Sequence, residues 1–441
     1  MKKKFFLLSA IMLSGALISG LLSCSSSEEI GENEQLEPKK AVNLLSGSQP
    51  IELTPEQKVF ANDNNGFTLN FLKTVNDVDK SGKSFIFSPL SITYVLGMVN
   101  DAAVGETERE LEQTLGFREG SIQAVNEYCK NLIDNLPKVD PKVTLNIANA
   151  IFVNKNFTLK EQFQQDMKTY YDAKAEALDF KAPETLDHIN GWCKEKTNDM
   201  IPAILDEVDP MIVTYLLNAI YFKADWASKF DQKNTREETF STESSSTQLP
   251  MMHQNVLILY AKNDIFSSVS IPYGNGEWDM IVMLPEEGKT TDDIITNLAT
   301  YGLSMYGFCS TMGDQFRSHE VDLKLPRFET ESDTNEIGNE GLIGLLRKMG
   351  INRAFNGQAE IPNMCNAAVY IDMMRQKAKI KVNEEGSEAA AVTIAATTFS
   401  SLEGGPIEYP KATFHANRPF VYCIRENSSG VILFVGKFTG A

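Results

Sequence analysis

The chain has 441 residues, 42% hydrophobic and 23% charged, which fits a soluble globular protein built either as two or three domains or as one large α+β domain. Its 41 basic and 59 acidic residues leave a formal charge of −18. Such an acidic body repels nucleic acid and anionic glycans, so neither is expected as a partner; the charge also serves solubility.

The first 23 residues carry Lys2, Lys3 and Lys4, then an apolar run, then Leu21-Leu22-Ser23-Cys24. That is the pattern of an export signal, too short and too polar on its far side for a permanent membrane span. Its ending resembles a bacterial lipobox, which implies cleavage before Cys24 and lipid on that residue. Ser25 in the next position, by the same resemblance, favours the outer membrane, facing either the cell surface or the periplasm. Removing the signal removes three lysines and no acid, moving the formal charge to about −21. Residues 24–50 are rich in serine and acid and read as a flexible tether, leaving 51–441 as the folded body.

Residues 54–76 have helical spacing, with Phe60, Phe67 and Phe71 on one face. The stretch "SFIFSPLSITYVLGMV" at 84–99 starts as a short strand and turns into a helix, with Ser88 as N-cap and Pro89 in the first helical position. "LNIANAIFV" at 145–153 and "YLLNAIYF" at 215–222 read as apolar strands of a sheet covered on both faces. Further strands are expected at 277–285, 321–328 and 377–382, a glycine-terminated helix at 341–350, and a hairpin at 420–438 around Asn427-Ser428-Ser429-Gly430. Helices crowd the first half and strands the second, the pattern of an α+β fold.

Catalytic motifs do not emerge, and no cofactor or metal is expected. The four histidines are His188, His253, His319 and His415, and there is no G-x-S-x-G elbow. "SHEVD" at 318–322 lacks the second histidine of a zincin, and "YGNGEW" at 273–278 suits a strand-connecting turn better than phosphate binding. Cys193 follows His188 by five residues, an offset that does not face the two on a helix. The cysteines after Cys24, namely Cys129, Cys193, Cys309, Cys365 and Cys423, are odd in number and scattered, as for buried structural thiols.

Five ordered segments resemble the serpin family over roughly residues 54–441. They are "FIFSPLSI" at 85–92 with "AAVGETERELEQTLGF" at 102–117, "IANAIFVNKNFTLKEQF" at 147–163, and "LNAIYFKADWASKF" at 217–230. "LPRF" at 325–328 with "MGINRAF" at 349–355 is the fourth, and "NEEGSEAAAVT" at 383–393 with "HANRPFVYCIRENSSGVILFVGKF" at 415–438 the fifth. The resemblance implies three β-sheets, about nine helices and an exposed reactive centre loop, here about 385–407, between a strand at 377–384 and one near 408–416. It implies a monomer that forms a covalent complex with a target serine protease. The protease cuts the loop, the acyl-enzyme forms, and the cut loop enters the central sheet and carries the protease to the far pole.

The loop residues suit that role. Alternate side chains of an inserting strand face inward, and from Ser387 these are Ala389, Ala391, Thr393, Ala395 and Thr397, all small, with Ala390 between. Glu384 and Gly386 precede them, the glycine giving backbone freedom where the loop leaves its strand. The same "SEAAA" would also start a capped surface helix. By the family's spacing, the attacked carbonyl lies 16 residues after Glu384, at Ser400, making Ser400–Ser401 the reactive bond, with Phe399–Ser400 the alternative. Small residues and Phe399 suit elastase- or chymotrypsin-like pockets, or the second pocket of papain-like cysteine proteases, and no basic residue is present for trypsin. A serpin-fold binding protein without inhibition remains the other function class.

The family resemblance also places Ser88, Ser91, Asn218 and Gln376 under the central sheet where it parts, and Trp226 at its top. Other serpins commonly have histidine where this chain has Gln376, whose amide supplies donor and acceptor but does not titrate. The segment 121–143, where some serpins carry a basic polyanion-binding helix, mixes Lys130, Lys138 and Lys142 with Glu127, Asp134 and Asp140, so no glycosaminoglycan response is expected.

Overall fold

Thr54 opens the first helix with a capping box: its hydroxyl accepts from Gln57 N and the Gln57 side chain accepts from Thr54 N. The helix, α1 (Pro55–Val78), buries Phe60, Phe67 and Phe71. These features belong to a computed structural model that describes residues 48–301, 317–387 and 408–440, except Glu119 and Glu243. The chain is attached to the body from its first described residues. Gln49 N donates to Val139 O, and Ile51 is buried with its N–H on Ser428 Oγ.

Strand β1 (Phe85–Phe87) runs into α2 (Pro89–Ala102), N-capped by Ser88 and started by Pro89, and almost every side chain of α2 is buried. Then come α3 (Gly105–Leu115), α4 (Ile122–Asn135), β2 (Thr144–Asn154), α5 (Glu161–Tyr171), β3 (Lys174–Leu178) and α6 (Glu184–Lys196). The strand-rich part holds β4 (Thr214–Asp225), β5 (Arg236–Ser241), β6 (Ser246–Lys262), β7 (Phe266–Tyr273) and β8 (Trp278–Pro285). After α7 (Thr291–Tyr301) follow β9 (Arg317–Pro326), β10 (Phe328–Asp333), α8 (Gly341–Met349) and β11 (Met373–Val382). The last strands are β12 (Gly386–Ser387), β13 (Lys411–His415), β14 (Phe420–Glu426) and β15 (Ile432–Phe438). Eight α-helices thus stand among the described residues.

One sheet has the order β10-β11-β4-β2-β3, with β12 also on β4. The other strands form the order β1-β15-β14-β8-β7-β6-β9-β13, with β5 on β6. The long β6 joins two groups: Met251–Tyr260 pairs with β9, and Leu259–Lys262 with β7. Divided at that crossing, the strands make the three sheets the sequence leads one to expect.

The six-stranded sheet is covered on both faces. Leu216 and Ile220 of β4 join the main core, while Tyr215, Leu217 and Ala219 join a second cluster with Phe152, Ile189 and Trp192 beneath α6. Double coverage is why β2 and β4 lack polar alternation.

Candidate functional site

The seam between β11 and β4 has two built stations. In the first, the strands run parallel in register from Met373↔Tyr215 to Lys377↔Ala219, with Gln376 opposite Asn218. Gln376 is buried. Its Oε1 accepts from Ser88 N at 2.9 Å, and its Nε2 donates to Ser88 O at 2.9 Å and to Asn218 Oδ1 at 3.3 Å. Ser88 Oγ donates to Leu433 O at 2.7 Å and lies 3.1 Å from Ser91 Oγ, while Asn218 Nδ2 donates to Asn149 Oδ1 at 2.8 Å. One amide therefore ties the N-cap of α2 to both strands of the seam, and Asn149 extends the network to β2. Every member lies inside the core, where an unpaired polar group is costly, and of these side chains only Asn149 leaves an atom, Nδ2, without a partner.

The second station lies where β11 ends. Asn383–Glu385 turns the chain back, closed by a bridge between Asn383 and Gly386, and β12 then pairs antiparallel with β4, Gly386↔Asp225 and Ser387↔Ala224. Trp226 anchors the turn: its backbone N–H donates to Glu385 O and its indole Nε1 to Asn383 O, each at 2.9 Å. Its ring stacks on Tyr273 with centroids 4.4 Å apart. Glu384 is only 2% exposed and takes hydrogen bonds from Arg327 on both carboxylate oxygens and from Thr235 Oγ1 at 2.7 Å. Burial alone pushes this carboxyl up; the Arg327 and Thr235 hydrogen bonds outweigh it and hold it below its ordinary value. Lys229 Nζ closes on Glu385 Oε2 at 2.6 Å. Gly386 has φ of +134°, and a Cβ there would sit 2.5 Å from Asp225 Cα and 2.5 Å from Trp226 N. Only glycine lets the returning chain lie this close to β4.

The structure brings Ser88, Ser91, Asn218 and Gln376 into one cluster. It sets Trp226 just past the end of β4, eight residues beyond Asn218 and roughly 26 Å away at about 3.3 Å per residue, beside Glu384 and Gly386. The turn from Asn383 places Glu384 after the end of β11 rather than on it. Ala389, Ala390, Ala391, Thr393, Phe399, Ser400, Ser401 and Cys24 lie outside the described residues. Asn149, Thr334, Thr235 and Arg327 are site members that sequence reasoning missed. Thr334 Oγ1 accepts from Gln376 N and donates to Gln376 O. A signal for Asn149 and Asn218 was present: each is an asparagine in the middle of an otherwise apolar strand.

Other sequence features take structural places. Cys129, Cys193, Cys365 and Cys423 are free and buried, and burial pushes the Cys193 thiol up to about 12. His188 stands apart from it, exposed and 2.9 Å from Glu176. "YGNGEW" is the turn between β7 and β8, and "SHEVD" lies on β9.

An α+β fold with a hydrogen-bonded seam beside a returning segment defines the class of protein. The family model described as "Serpin (serine protease inhibitor)" matches residues 62–440. The chain belongs to the serpin family. It is 31% identical over 392 residues to serpin B6 of Pongo abelii, covering 86% of this chain and 99% of that protein. Among solved structures it resembles the thermophilic serpin tengpin in its native state, with a TM-score of 0.74, 26% identity and coverage of 90% of this chain and 99% of that one. It also resembles thyroxine-binding globulin in complex with thyroxine, with a TM-score of 0.72, 25% identity and coverage of 86% and 98%.

Proposed function

We propose that this protein is a suicide inhibitor of serine endopeptidases with elastase- or chymotrypsin-like specificity. It traps the acyl-enzyme by inserting the cleaved loop between β11 and β4. The observation that carries the reading is the direction of β12. β11 and β4 are parallel, and a strand entering between them after a tight turn from β11 must run antiparallel to both. Gly386 and Ser387 already run that way along β4. On insertion the small series from Ala389 would bring no bulky or charged side chain to bury. Ser400–Ser401 is the proposed reactive bond, Phe399–Ser400 the alternative, and the inhibitor acts as a monomer held at the outer membrane by lipid on Cys24. The mass of the small C-terminal fragment released from a trapped complex tests the bond. A start at Ser401 supports the first assignment and one at Ser400 the second, while a start beyond Glu403 or fast trapping of trypsin overturns both.

A second reading, a serpin-fold binding protein without trapping, is favoured by the likeness to thyroxine-binding globulin. It predicts reversible ligand binding and no covalent complex with any protease.

A further inference from the structure

The segment 359–369, between α8 and β11, is fastened to the starts of two helices. Val104 N donates to Glu360 O and Glu360 N to Thr107 Oγ1 at α3, and Lys160 N donates to Met364 O at α5, at 2.9, 3.0 and 2.9 Å. Leu159 and Cys365 form an antiparallel bridge beside the last of these bonds. Where the three pieces meet there is a cavity of about 530 Å³. Buried Ile361, Cys365 and Val369 line it, together with Val104, which stays 38% exposed. No residue of the seam or of the returning turn takes part.

Two charged side chains line the cavity, Lys160 and Glu360. Glu360 is already engaged: its Oε2 accepts from Glu106 N at 3.1 Å and from Arg353 Nη1 at 3.3 Å. Among the described residues the Lys160 ammonium has no partner. A mostly aliphatic wall with one free cation matches a molecule with an apolar tail and a single negative charge. Among the described residues no aromatic side chain lines the cavity, so no stacking favours a ring over a chain as that tail. In a chain with 59 acidic and 41 basic residues, an anion is repelled wherever a local cation does not hold it. At roughly 30 Å³ per small group, the share of a water in the liquid, the cavity takes a tail of ten to twelve carbons with room to spare.

We propose that this cavity binds a medium-chain aliphatic carboxylate, a free fatty acid of ten to twelve carbons. Its carboxylate pairs with the Lys160 ammonium, and its tail lies along Val104, Ile361 and Val369. The head makes a charge-assisted hydrogen bond, which fixes its orientation. The tail supplies the affinity, because each methylene that leaves water tightens binding by about two- to fourfold. A ligand held there joins the starts of α3 and α5 to the segment that leads into β11. It binds the folded chain alone and so stabilises it by mass action.

Isothermal titration of the full chain with sodium decanoate, kept below the concentration at which it forms micelles, tests the site without any protease. One saturable site is expected, with dodecanoate tighter and octanoate weaker by about four- to fifteenfold. Decyltrimethylammonium carries the same tail with the opposite charge and should bind about tenfold more weakly or worse. Lys160→Gln should weaken decanoate by about threefold or more and leave decyltrimethylammonium no weaker. Val104→Asp puts a carboxylate on the wall at the N-cap of α3, where aspartate is favoured, so the thermal midpoint should hold while decanoate binding falls by about tenfold. Absence of saturable binding, equal binding of anion and cation, or unchanged decanoate affinity in either variant would overturn the proposal. Binding confined to phosphatidylglycerol vesicles, with none to free decanoate, would overturn it as well.

Discussion

Replacing Gln376 with leucine tests the seam network with little change in volume. The leucine removes the partner of Ser88 N and of Asn218 Oδ1 entirely, whereas Ser88 O keeps the bond from Ile92 N at 3.3 Å. Two buried polar groups are thus stranded at about 1–3 kcal/mol each. The added apolar burial offsets part of this, leaving a net loss of about 2–4 kcal/mol. With about 390 residues unfolding at roughly 2.1 cal/mol/K each, that corresponds to a fall in thermal midpoint of about 2–5 °C. Gln376→His is the informative comparison. Its neutral imidazole can accept from Ser88 N and donate to one of the two acceptors, so most stability returns at pH 8. Once protonated it has no acceptor to offer Ser88 N. The folded state therefore holds its pKa below the ordinary value of about 6.5, and stability falls as pH drops below that value. Thermal melts of the three proteins at pH 8 and pH 5.5 measure both effects. A leucine variant that melts within 1 °C of wild type would refute the account of the seam, as would a histidine variant with no extra acid sensitivity.

Gly386→Val cannot keep its place against Asp225 and Trp226, and it should release β12 from β4, read as lost exchange protection at Gly386 and Ser387. Ser387→Arg or Ala391→Pro should raise the moles of inhibitor consumed per mole of protease several-fold, because insertion would bury an unpaired charge or lose a ladder donor. Asp101→Asn should raise the thermal midpoint at pH 7.5 and give no gain near pH 4. Burial raises the Asp101 carboxyl to about 6, so the native state loses stability as pH rises from about 4 to 6, on the order of 1 kcal/mol after solvent screening. Heparin should leave the rate of protease inhibition unchanged at low salt, since Lys130 is already paired with Asp134 at 2.8 Å on α4.

The sequence made local chemistry legible and left tertiary pairing obscure. Ser88 and Pro89 announce the strand-to-helix junction because capping and a missing N–H are decided within a few residues. The start of β11 was not visible: its first residues, Met373–Gln376, include Arg375, which looks exposed in sequence, and Gln376, which only the family resemblance placed under the sheet. Arg375 is buried because the Asp333 carboxylate on the neighbouring strand meets its guanidinium, and Gln376 because Ser88, Asn218 and Thr334 meet it. Such partners lie 42 to 288 positions away, beyond any periodicity. Asn149 stood in plain view, yet its strand read as wholly apolar, because a single asparagine in such a run signals a network only when its partner is known; Asn218 was placed there by the family resemblance alone. The Glu384–Arg327 pair was hidden in the same way, each residue quoted in a different motif and joined only by the fold.

The most direct test of the account is a denaturing gel of the intact protein after incubation with pancreatic elastase or chymotrypsin. The account predicts a band that survives boiling in detergent at the summed mass of the two proteins less that of the C-terminal fragment, and the released fragment itself beginning at Ser401 or Ser400. Cleavage of the loop with no such band, or an intact chain after prolonged incubation with both proteases, would contradict it.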